Sequence, residues 1–173
     1  MSSTDSGRFD AEALYQDLLA RMRSDWAQLP QPVYVVGVAS GGVEVARRLQ
    51  RDLGASGPAG VISSAMHRDD FAQRGLAASA MQNDLPFEVD GACVVLVDDV
   101  LHTGRTVRAV INELFDYGRP SCVKLAVLVD RGDRQLPVAA DWSALQTELP
   151  ANQTLQLKRD DPQQLQFVME EAR

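Results

Sequence analysis

The stretch Val94-Val95-Leu96-Val97-Asp98-Asp99-Val100-Leu101-His102-Thr103-Gly104-Arg105-Thr106 decides how this chain is expected to fold. Its four leading apolar residues, three of them β-branched, are typical of a strand buried on both faces of a parallel sheet. Two adjacent carboxylates, Asp98 and Asp99, follow where the strand is expected to emerge, and a loop of threonine and glycine comes next. Ligands of open α/β sheets bind outside the carboxyl ends of strands, so the stretch predicts a binding site.

An amphipathic helix is predicted directly after this loop. Apolar residues recur there at the spacing i, i+3, i+4, i+7 and i+8, which places them on one face of a helix. Backbone N–H groups at the start of such a helix suit a phosphate. Because carboxylates accept hydrogen bonds from the hydroxyls of a sugar, an acid pair beside a phosphate loop indicates a ribose 5-phosphate site. The apolar positions are Val107, Val110, Ile111, Leu114 and Phe115.

Strands and helices alternate along the rest of the chain, which favours an α/β fold with a mainly parallel sheet. Small-residue loops follow three predicted strands, and in a parallel sheet such loops lie along one edge and can form a single cleft. These loops are residues 39–42, 103–106 and 130–132. Helices are predicted at residues 9 to about 27, 43 to about 53 and 162–172, and strands at 33–38, 61 to about 67, 123–129 and near 155–157.

Neither glycine loop matches a common nucleotide-binding fingerprint. The loop at 103–106 lacks the GxxxxGK[ST] pattern and its lysine, and residues 37–42 do not form G-x-G-x-x-G. These differences weaken the case for ATP or a dinucleotide as the ligand.

Composition indicates a globular protein of one domain. The 173 residues are hardly enough for two domains, and a net charge of −7 argues against broad attraction to nucleic acid or anionic membranes. The densest basic cluster, Arg47, Arg48 and Arg51, is expected to be a solvated helix face. The polar N-terminus shows no secretory signal and no apolar stretch is long enough to span a bilayer, so a cytoplasmic location is expected.

The cysteines and histidines of the chain predict no metal centre. Cys93 and Cys122 each begin a predicted buried strand and are expected to be reduced thiols. Together with His67 and His102 they lie at spacings that build no convincing zinc site.

The stretch at residues 94–106 resembles the PRPP-binding motif of type I phosphoribosyltransferases, which has four hydrophobic residues, two acids and a Thr-Gly loop. Further stretches are similar to the PyrR family, whose members are uracil phosphoribosyltransferases and in some cases regulate pyrimidine operons by binding mRNA. The resemblance covers about residues 33–142. The stretches are Arg68-Asp69-Asp70, Val97 to Leu101, Thr103 to Ala109, Tyr117 to Pro120, Leu125 to Gly132 and Arg134-Gln135-Leu136-Pro137.

The resemblance implies an α/β fold of the type I phosphoribosyltransferase kind, with a mainly parallel central sheet flanked by helices. Residues 1–173 would form one domain, with a mobile flap at about residues 68–86 and a small hood at about residues 130–160. The implied reaction transfers the ribose 5-phosphate of PRPP to uracil, giving UMP and pyrophosphate. Mg²⁺ would be held through PRPP and not by protein side chains alone. A homodimer or homotetramer is implied, and the apolar N-terminal helix is a candidate interface.

The resemblance also assigns roles to individual residues. Asp98 and Asp99 would bind the ribose hydroxyls. They would be the catalytic residues together with Arg68, which is the first residue of the flap. The loop after the first strand would hold the diphosphate, the loop after the acid pair would hold the 5-phosphate, and a hood segment would read the uracil edge. The PRPP-binding set is Ser40, Gly41, Gly42, Asp98, Asp99, His102, Thr103, Gly104, Arg105 and Thr106, and the base-binding set is Val129, Asp130 and Arg131.

Two positions depart from the family pattern. Many PyrR sequences have Thr-Arg-Gly where this chain has Ser40-Gly41-Gly42, so one cationic contact to the diphosphate is missing. His102 stands where Tyr is common in the family, and it is expected at the rim of the site and not as a general base.

Two other functions stay open from the sequence. One is an RNA-binding regulator of pyrimidine biosynthesis genes that responds to UMP, and the other is a PRPP-dependent transferase for another base. Only the segment from Val129 to Pro137 argues for uracil, and a base edge is read by few contacts.

Overall fold

A parallel sheet of five strands carries the fold, in the order β2-β1-β3-β4-β5. The structure is a computed structural model that describes residues 9–64, 82–161 and 164–171, with residues 159–161 described by their backbone alone. The predicted fold class, a mainly parallel α/β sheet with flanking helices, is confirmed. The strands are β1 (Val33–Val38), β2 (Gly60–Ile62), β3 (Cys93–Leu101), β4 (Cys122–Asp130) and β5 (Trp142–Gln146).

Three helices cover the two faces of this sheet: α1 (Ala11–Trp26), α2 (Gly42–Leu53) and α3 (Arg105–Tyr117). Alternate residues of β3 point to opposite faces, as a strand requires. Val95 and Val97 pack in the core cluster that contains α1 and α2, whereas Val94 and Leu96 pack in the cluster that contains α3. Burial on both faces explains the unbroken apolar run. No helix among the described residues is long and apolar enough to cross a membrane.

The first helix begins and packs as its sequence predicts. Asp10 accepts hydrogen bonds from the backbone N–H groups of Glu12 at 3.0 Å and Ala13 at 3.1 Å, so it caps α1. The apolar stripe of the helix, including Leu18 and Met22, is fully buried in the core of its own chain. The expectation that this stripe supplies a subunit interface was therefore wrong, because the sheet already covers it.

Two strand boundaries differ from the sequence-based expectation. Asp98 and Asp99 lie inside β3 and not after it, because β4 continues to pair with β3 as far as Leu101 opposite Asp130. In contrast, β2 ends at Ile62 and does not extend toward His67. The next backbone N–H, that of Ser63, donates to the side chain of Asn83 at 2.8 Å and has left the strand pattern.

The C-terminal segment forms a β-hairpin and not the predicted helix at 162–172. Its antiparallel strands are β6 (Gln153–Asp161) and β7 (Gln164–Glu171). Leu165, Phe167 and Met169 alternate along β7 and pack against the core that contains α1, which is the period of a strand. The strand β5 was not predicted from the sequence either.

The segment predicted as a flap is only partly described. Arg68 and most of residues 68–86 lie outside the described residues. The described end is attached to the sheet, because Val61 and Asp84 exchange two backbone hydrogen bonds of 2.7 and 2.9 Å. The Asn83 amide also donates to Glu113 of α3 at 2.7 Å. Any movement of residues 82–86 therefore requires these hydrogen bonds to break.

Candidate active site

The acid pair of β3 is held by main-chain donors. Asp98 is only 8% exposed and accepts a hydrogen bond from the Asp99 N–H at 2.9 Å. Asp99 accepts from the Val100 N–H at 2.9 Å with one carboxylate oxygen, and from the Leu157 N–H of β6 at 3.0 Å with the other. The hairpin contact through Leu157 is one that the sequence analysis missed.

The glycine loop after β1 lies directly against this acid pair. A Cβ atom at Gly41 would lie 2.4 Å from the carboxylate carbon of Asp99, and a Cβ at Gly42 would lie 2.0 Å from the carbonyl oxygen of Val97. Only glycine permits such close approach of the backbone. The structure therefore brings Ser40-Gly41-Gly42 and Asp98-Asp99 together. A side chain at position 41 would meet the Asp99 carboxylate.

The loop after β3 turns through a glycine with positive φ. Gly104 has φ +90°, a backbone conformation that favours glycine, and α3 starts at the next residue. The Thr103 hydroxyl accepts a hydrogen bond from the Arg105 N–H at 3.2 Å, and the Arg105 side chain donates to Gln135 at 2.7 Å. The predicted 5-phosphate loop is therefore bound to the segment that follows β4.

Three successive carbonyl groups of this loop accept hydrogen bonds from that segment. The Leu101 carbonyl accepts from the Arg131 N–H at 2.9 Å, and the Thr103 carbonyl accepts from the N–H groups of Gln135 at 3.0 Å and Leu136 at 3.2 Å. The carbonyl between them, that of His102, accepts from the Arg134 guanidinium at 2.6 Å. In a trans peptide the next N–H points opposite to the carbonyl. The N–H groups of residues 102–104 therefore point away from the hood, as an anion-binding loop requires.

Arg134 uses all five N–H groups of its guanidinium. Two Nη2 bonds of 2.6 and 2.7 Å reach the two carboxylate oxygens of Asp130. The Nη1 group donates to the carbonyl oxygens of His102 at 2.6 Å and Gly132 at 3.1 Å, and Nε donates to the Val138 carbonyl at 2.9 Å. The sequence analysis included Arg134 in a family-like stretch without a role. Five donors in one planar fork are available only from arginine.

The three residues predicted to bind the base differ in what they can offer. Val129 is fully buried in the core, so only its backbone is available. The Asp130 carboxylate accepts from Arg134 and from the Gly132 N–H at 2.9 Å. Arg131 is 6% exposed, and its Nε has no hydrogen-bond partner among the described residues. An unsatisfied buried N–H is costly, so Arg131 is the member of the set whose donor is available to a ligand.

A cavity of about 310 Å³ adjoins Arg131. His102 lies at its rim with a side chain 39% exposed, and its Nε2 is 3.7 Å from a carboxylate oxygen of the exposed Asp133. The cavity is lined by His102, Arg131, Asp133, Glu148 and Leu149. Within the described ranges, no three or more His, Cys, Asp or Glu side chains cluster as metal ligands. Arg68 and His67 lie outside those ranges.

Comparison with known proteins identifies the class of enzyme that this fold and site define. Residues 11–157 match the family model described as "Phosphoribosyl transferase domain". The chain also resembles a hypoxanthine phosphoribosyltransferase from Trypanosoma cruzi, solved as a ternary substrates complex, with a TM-score of 0.62, 21% identity and coverage of 90% of this chain and 89% of that one. A purine phosphoribosyltransferase from Pyrococcus horikoshii matches with a TM-score of 0.58, 26% identity and coverage of 78% and 83%. The fold is that of a phosphoribosyltransferase, a pentosyltransferase.

Curated relatives narrow the class further. A "Bifunctional protein PyrR" of Ralstonia nicotianae is 52% identical over 156 residues, covering 90% of this chain and 89% of the relative. Proteins of the same name from Nitrosococcus oceani and Pseudomonas aeruginosa are 42% and 44% identical, covering 92% and 84% of this chain and 90% and 84% of the relatives. The chain belongs to the PyrR family of phosphoribosyltransferases, as the sequence motifs indicate.

Proposed function

We propose that the chain transfers the ribose 5-phosphate of PRPP to uracil, giving UMP and pyrophosphate. The observation that carries this proposal is the contact between two loops and one acid pair. Gly41 lies against the Asp99 carboxylate, and the loop from His102 to Thr106 follows the same strand. This arrangement supports adjacent sites for a diphosphate, a ribose and a 5-phosphate, in that order.

The proposed roles follow from the geometry of each group. Asp98 and Asp99 would accept hydrogen bonds from the ribose hydroxyls, and the N–H groups of residues 102–104 and the hydroxyls of Thr103 and Thr106 would hold the 5-phosphate. Ser40, Gly41 and Gly42 would present backbone N–H groups to the diphosphate. The side-chain Nε–H of Arg131 would donate to the base. These roles are supported by the positions of the residues and stay predictions until they are measured.

The chemistry needs positioning and charge stabilisation more than a covalent partner. Departure of diphosphate from the anomeric carbon leaves oxocarbenium-like charge on the ribose, and uracil N1 then forms the new bond to that carbon and loses its proton. The acid pair would bind the ribose on which that positive charge develops, and two carboxylates there would favour the transition state. Mg²⁺, when bound, neutralises charge on the diphosphate. Its fit here is through PRPP beside Asp98 and Asp99, since the described residues present no cluster of three acidic, histidine or cysteine ligands.

The base-specificity assay tests this proposal directly. The protein is incubated with PRPP and Mg²⁺ together with uracil, hypoxanthine, guanine or adenine in turn, and nucleotide and pyrophosphate are measured. UMP formation from uracil alone is expected. Turnover of a purine without UMP would leave a PRPP-dependent transferase for another base, the class to which the solved neighbours from Trypanosoma cruzi and Pyrococcus horikoshii belong by name.

A variant pair separates catalysis from folding. Asp98→Asn combined with Asp99→Asn is expected to abolish turnover while the protein stays folded, as circular dichroism would report. The matched control is Asp116→Asn, which removes a carboxylate from the exposed face of α3. Equal activity of the double variant and the control would contradict the role of the acid pair.

A second candidate function is UMP-responsive binding of RNA from pyrimidine genes. It is supported by the name of the relatives, each a bifunctional protein. The exposed Arg47 and Arg51 of α2 are available as phosphate contacts, whereas Arg48 is engaged by Glu12 at 2.8 Å. Filter binding with a pyrimidine-leader RNA, with and without UMP, tests it. Binding that weakens with salt and strengthens with UMP is expected, and a lack of either dependence would exclude this second function.

A further inference from the structure

We infer that Arg134 is a positioning residue that fixes the proposed 5-phosphate loop and the proposed base-reading segment relative to each other. The identity of the ligands rests on the proposed function. The link between the two segments does not depend on it, because it is made by the hydrogen bonds of the Arg134 side chain. One guanidinium joins His102 in the loop after β3 to Asp130, Gly132 and Val138 in the segment after β4.

The first step of the argument is that the two segments meet at few other side chains. Besides the backbone bonds described above, the other side-chain contacts described between them are those of Arg105 with Gln135 and of His102 with Asp133, and each includes an exposed partner. The Arg134 side chain is 21% exposed and its partner Asp130 is 12% exposed. An arginine–carboxylate pair with low exposure is a charge-assisted contact that is screened less than an exposed pair.

The second step is that the His102 carbonyl sets the direction of a functional N–H. The bond from Arg134 holds this carbonyl at 2.6 Å, between the bonds made by the carbonyls of Leu101 and Thr103. Because the peptide is planar, holding the His102 carbonyl also fixes the Thr103 N–H on the opposite side. The effect of Arg134 on a bound 5-phosphate is therefore indirect and passes through one peptide plane.

The third step concerns Asp130, which was predicted to read the base. Its two carboxylate oxygens are both engaged by Arg134, and one of them also accepts the Gly132 N–H. Asp130 thereby anchors the base-side segment, so Arg134 bonds to both sides of the site. A change at Arg134 is expected to affect both substrates, whereas a residue that touches only one ligand affects that ligand alone.

Arg134→Lys is the variant that tests the inference. Lysine keeps the positive charge but offers three donors from one nitrogen, so it cannot serve the carboxylate and three carbonyls together. The KM values for PRPP and for uracil are both expected to rise about tenfold, because each segment loses its fixed position. A merely structural role would lower the folded fraction and therefore kcat, and would leave both KM values unchanged. KM values within about twofold of the parent would overturn the inference.

Arg119→Lys is the matched control. Arg119 also donates to backbone carbonyls, those of Phe115 at 2.6 Å and Gly118 at 3.2 Å, but it lies after α3 at the opposite edge of the sheet. Its KM values are expected to stay at the parent level. If both lysine variants raised KM alike, the effect would be general and Arg134 would have no special role.

Two further measurements keep the inference testable whatever the enzyme turns over. Hydrogen exchange in the ligand-free protein is expected to speed up at residues 101–104 in Arg134→Lys and not in Arg119→Lys, and unchanged exchange would overturn the inference without reference to any substrate. If Arg134→Lys does not fold, Asp130→Asn removes only the charge-assisted half of the contact. It should raise the KM for PRPP by a smaller factor, and an unchanged value would again overturn the inference. If uracil were not a substrate but hydrogen exchange at residues 101–104 were still faster in Arg134→Lys than in Arg119→Lys, only the proposed substrate would be contradicted.

Discussion

The two ends of β3 surround their ionisable side chains differently. At the carboxyl end, Asp98 and Asp99 accept hydrogen bonds from backbone N–H groups. At the amino end, the Sγ atoms of Cys93 and Cys122 lie 2.6 Å apart as free thiols, and burial raises the pKa of Cys93 to about 12. The same strand therefore carries hydrogen-bonded carboxylates at one end and, at the other, a thiol whose ionisation is suppressed by burial. The difference comes from the surroundings of each group and not from the strand.

The largest expected effect concerns the suppressed end. With the pKa of Cys93 raised from an ordinary 9.0 to about 12, its thiolate population below pH 9 falls about a thousandfold. Alkylation of native protein at pH 8, followed by mass spectrometry, should modify Cys93 at least that much more slowly than the same residue in guanidinium-unfolded protein. Equal rates would show that this end of β3 does not suppress ionisation.

The raised pKa of the Cys93 thiol also predicts how the free energy of unfolding changes at alkaline pH. A raised folded pKa contributes stability that is fully present below the unfolded pKa and is lost as pH rises through the folded value. The free energy of unfolding should therefore decrease between pH 9 and about pH 12. Cys93→Ala, compared with the parent by urea unfolding across this range, should show a smaller decrease.

The second prediction breaks the packing beneath the charged end. In Gly42→Ala the new Cβ would lie 2.0 Å from the Val97 carbonyl oxygen, and backbone of β3 has no room to move. A loss of about 3 kcal/mol in the free energy of unfolding is expected, which urea unfolding would measure. The control is Gly54→Ala at the other end of α2, where φ is +64° and no atom lies within 4 Å. It should cost about 1 kcal/mol, from the left-handed backbone alone.

A third prediction distinguishes contact with the Asp99 side chain from contact with the backbone of β3. In Gly41→Ala the Cβ would meet the side chain of Asp99 at 2.4 Å, and a side chain can turn away where backbone cannot. We expect kcat/KM for PRPP to fall about a hundredfold with little change in stability, because a displacement of about 1 Å costs that much in a positioned site. A stability loss as large as that of Gly42→Ala, or unchanged kinetics, would contradict this separation.

The sequence predicted β1, β3, α2 and α3 closely, because each has a local apolar period and a glycine or proline at its end. It also predicted the loops at 39–42 and 103–106 as parts of one site. It placed a short strand near residues 155–157, inside β6, but it did not predict the hairpin with β7. The packing of β7 depends on the core around α1, more than a hundred residues earlier, as the bond of the Leu165 N–H to Glu12 illustrates. The role of Arg134 was not predicted for a similar reason. Its acceptors are mostly backbone carbonyl groups, which leave no pattern in the sequence, and one of them is 32 residues away.

The smallest expected effect tests a hydrogen bond between the exposed Asp25 and the buried Trp142 at the amino edge of the sheet. The Trp142 indole N–H donates to Asp25 at 2.9 Å, which, with help from the Ser24 hydroxyl, holds the pKa of that carboxyl below its usual 3.8. A lowered folded pKa contributes stability above the unfolded pKa that is lost as pH falls through the folded value. Trp142→Phe should therefore lose less stability than the parent between pH 5 and pH 2. Equal acid unfolding curves would show that the contact is not formed in solution.

The hydrogen bond from Leu157 to Asp99 also orders events in time. The two residues are 58 positions apart, so on a ribosome that adds about 5–20 residues per second, roughly 3–12 s pass between their synthesis. β4 and β5 are made within that interval, and throughout it one oxygen of Asp99 has no hairpin donor. Nascent chains stalled before residue 157 would therefore carry the acid pair in an unfinished setting, and the last strands to be translated complete it.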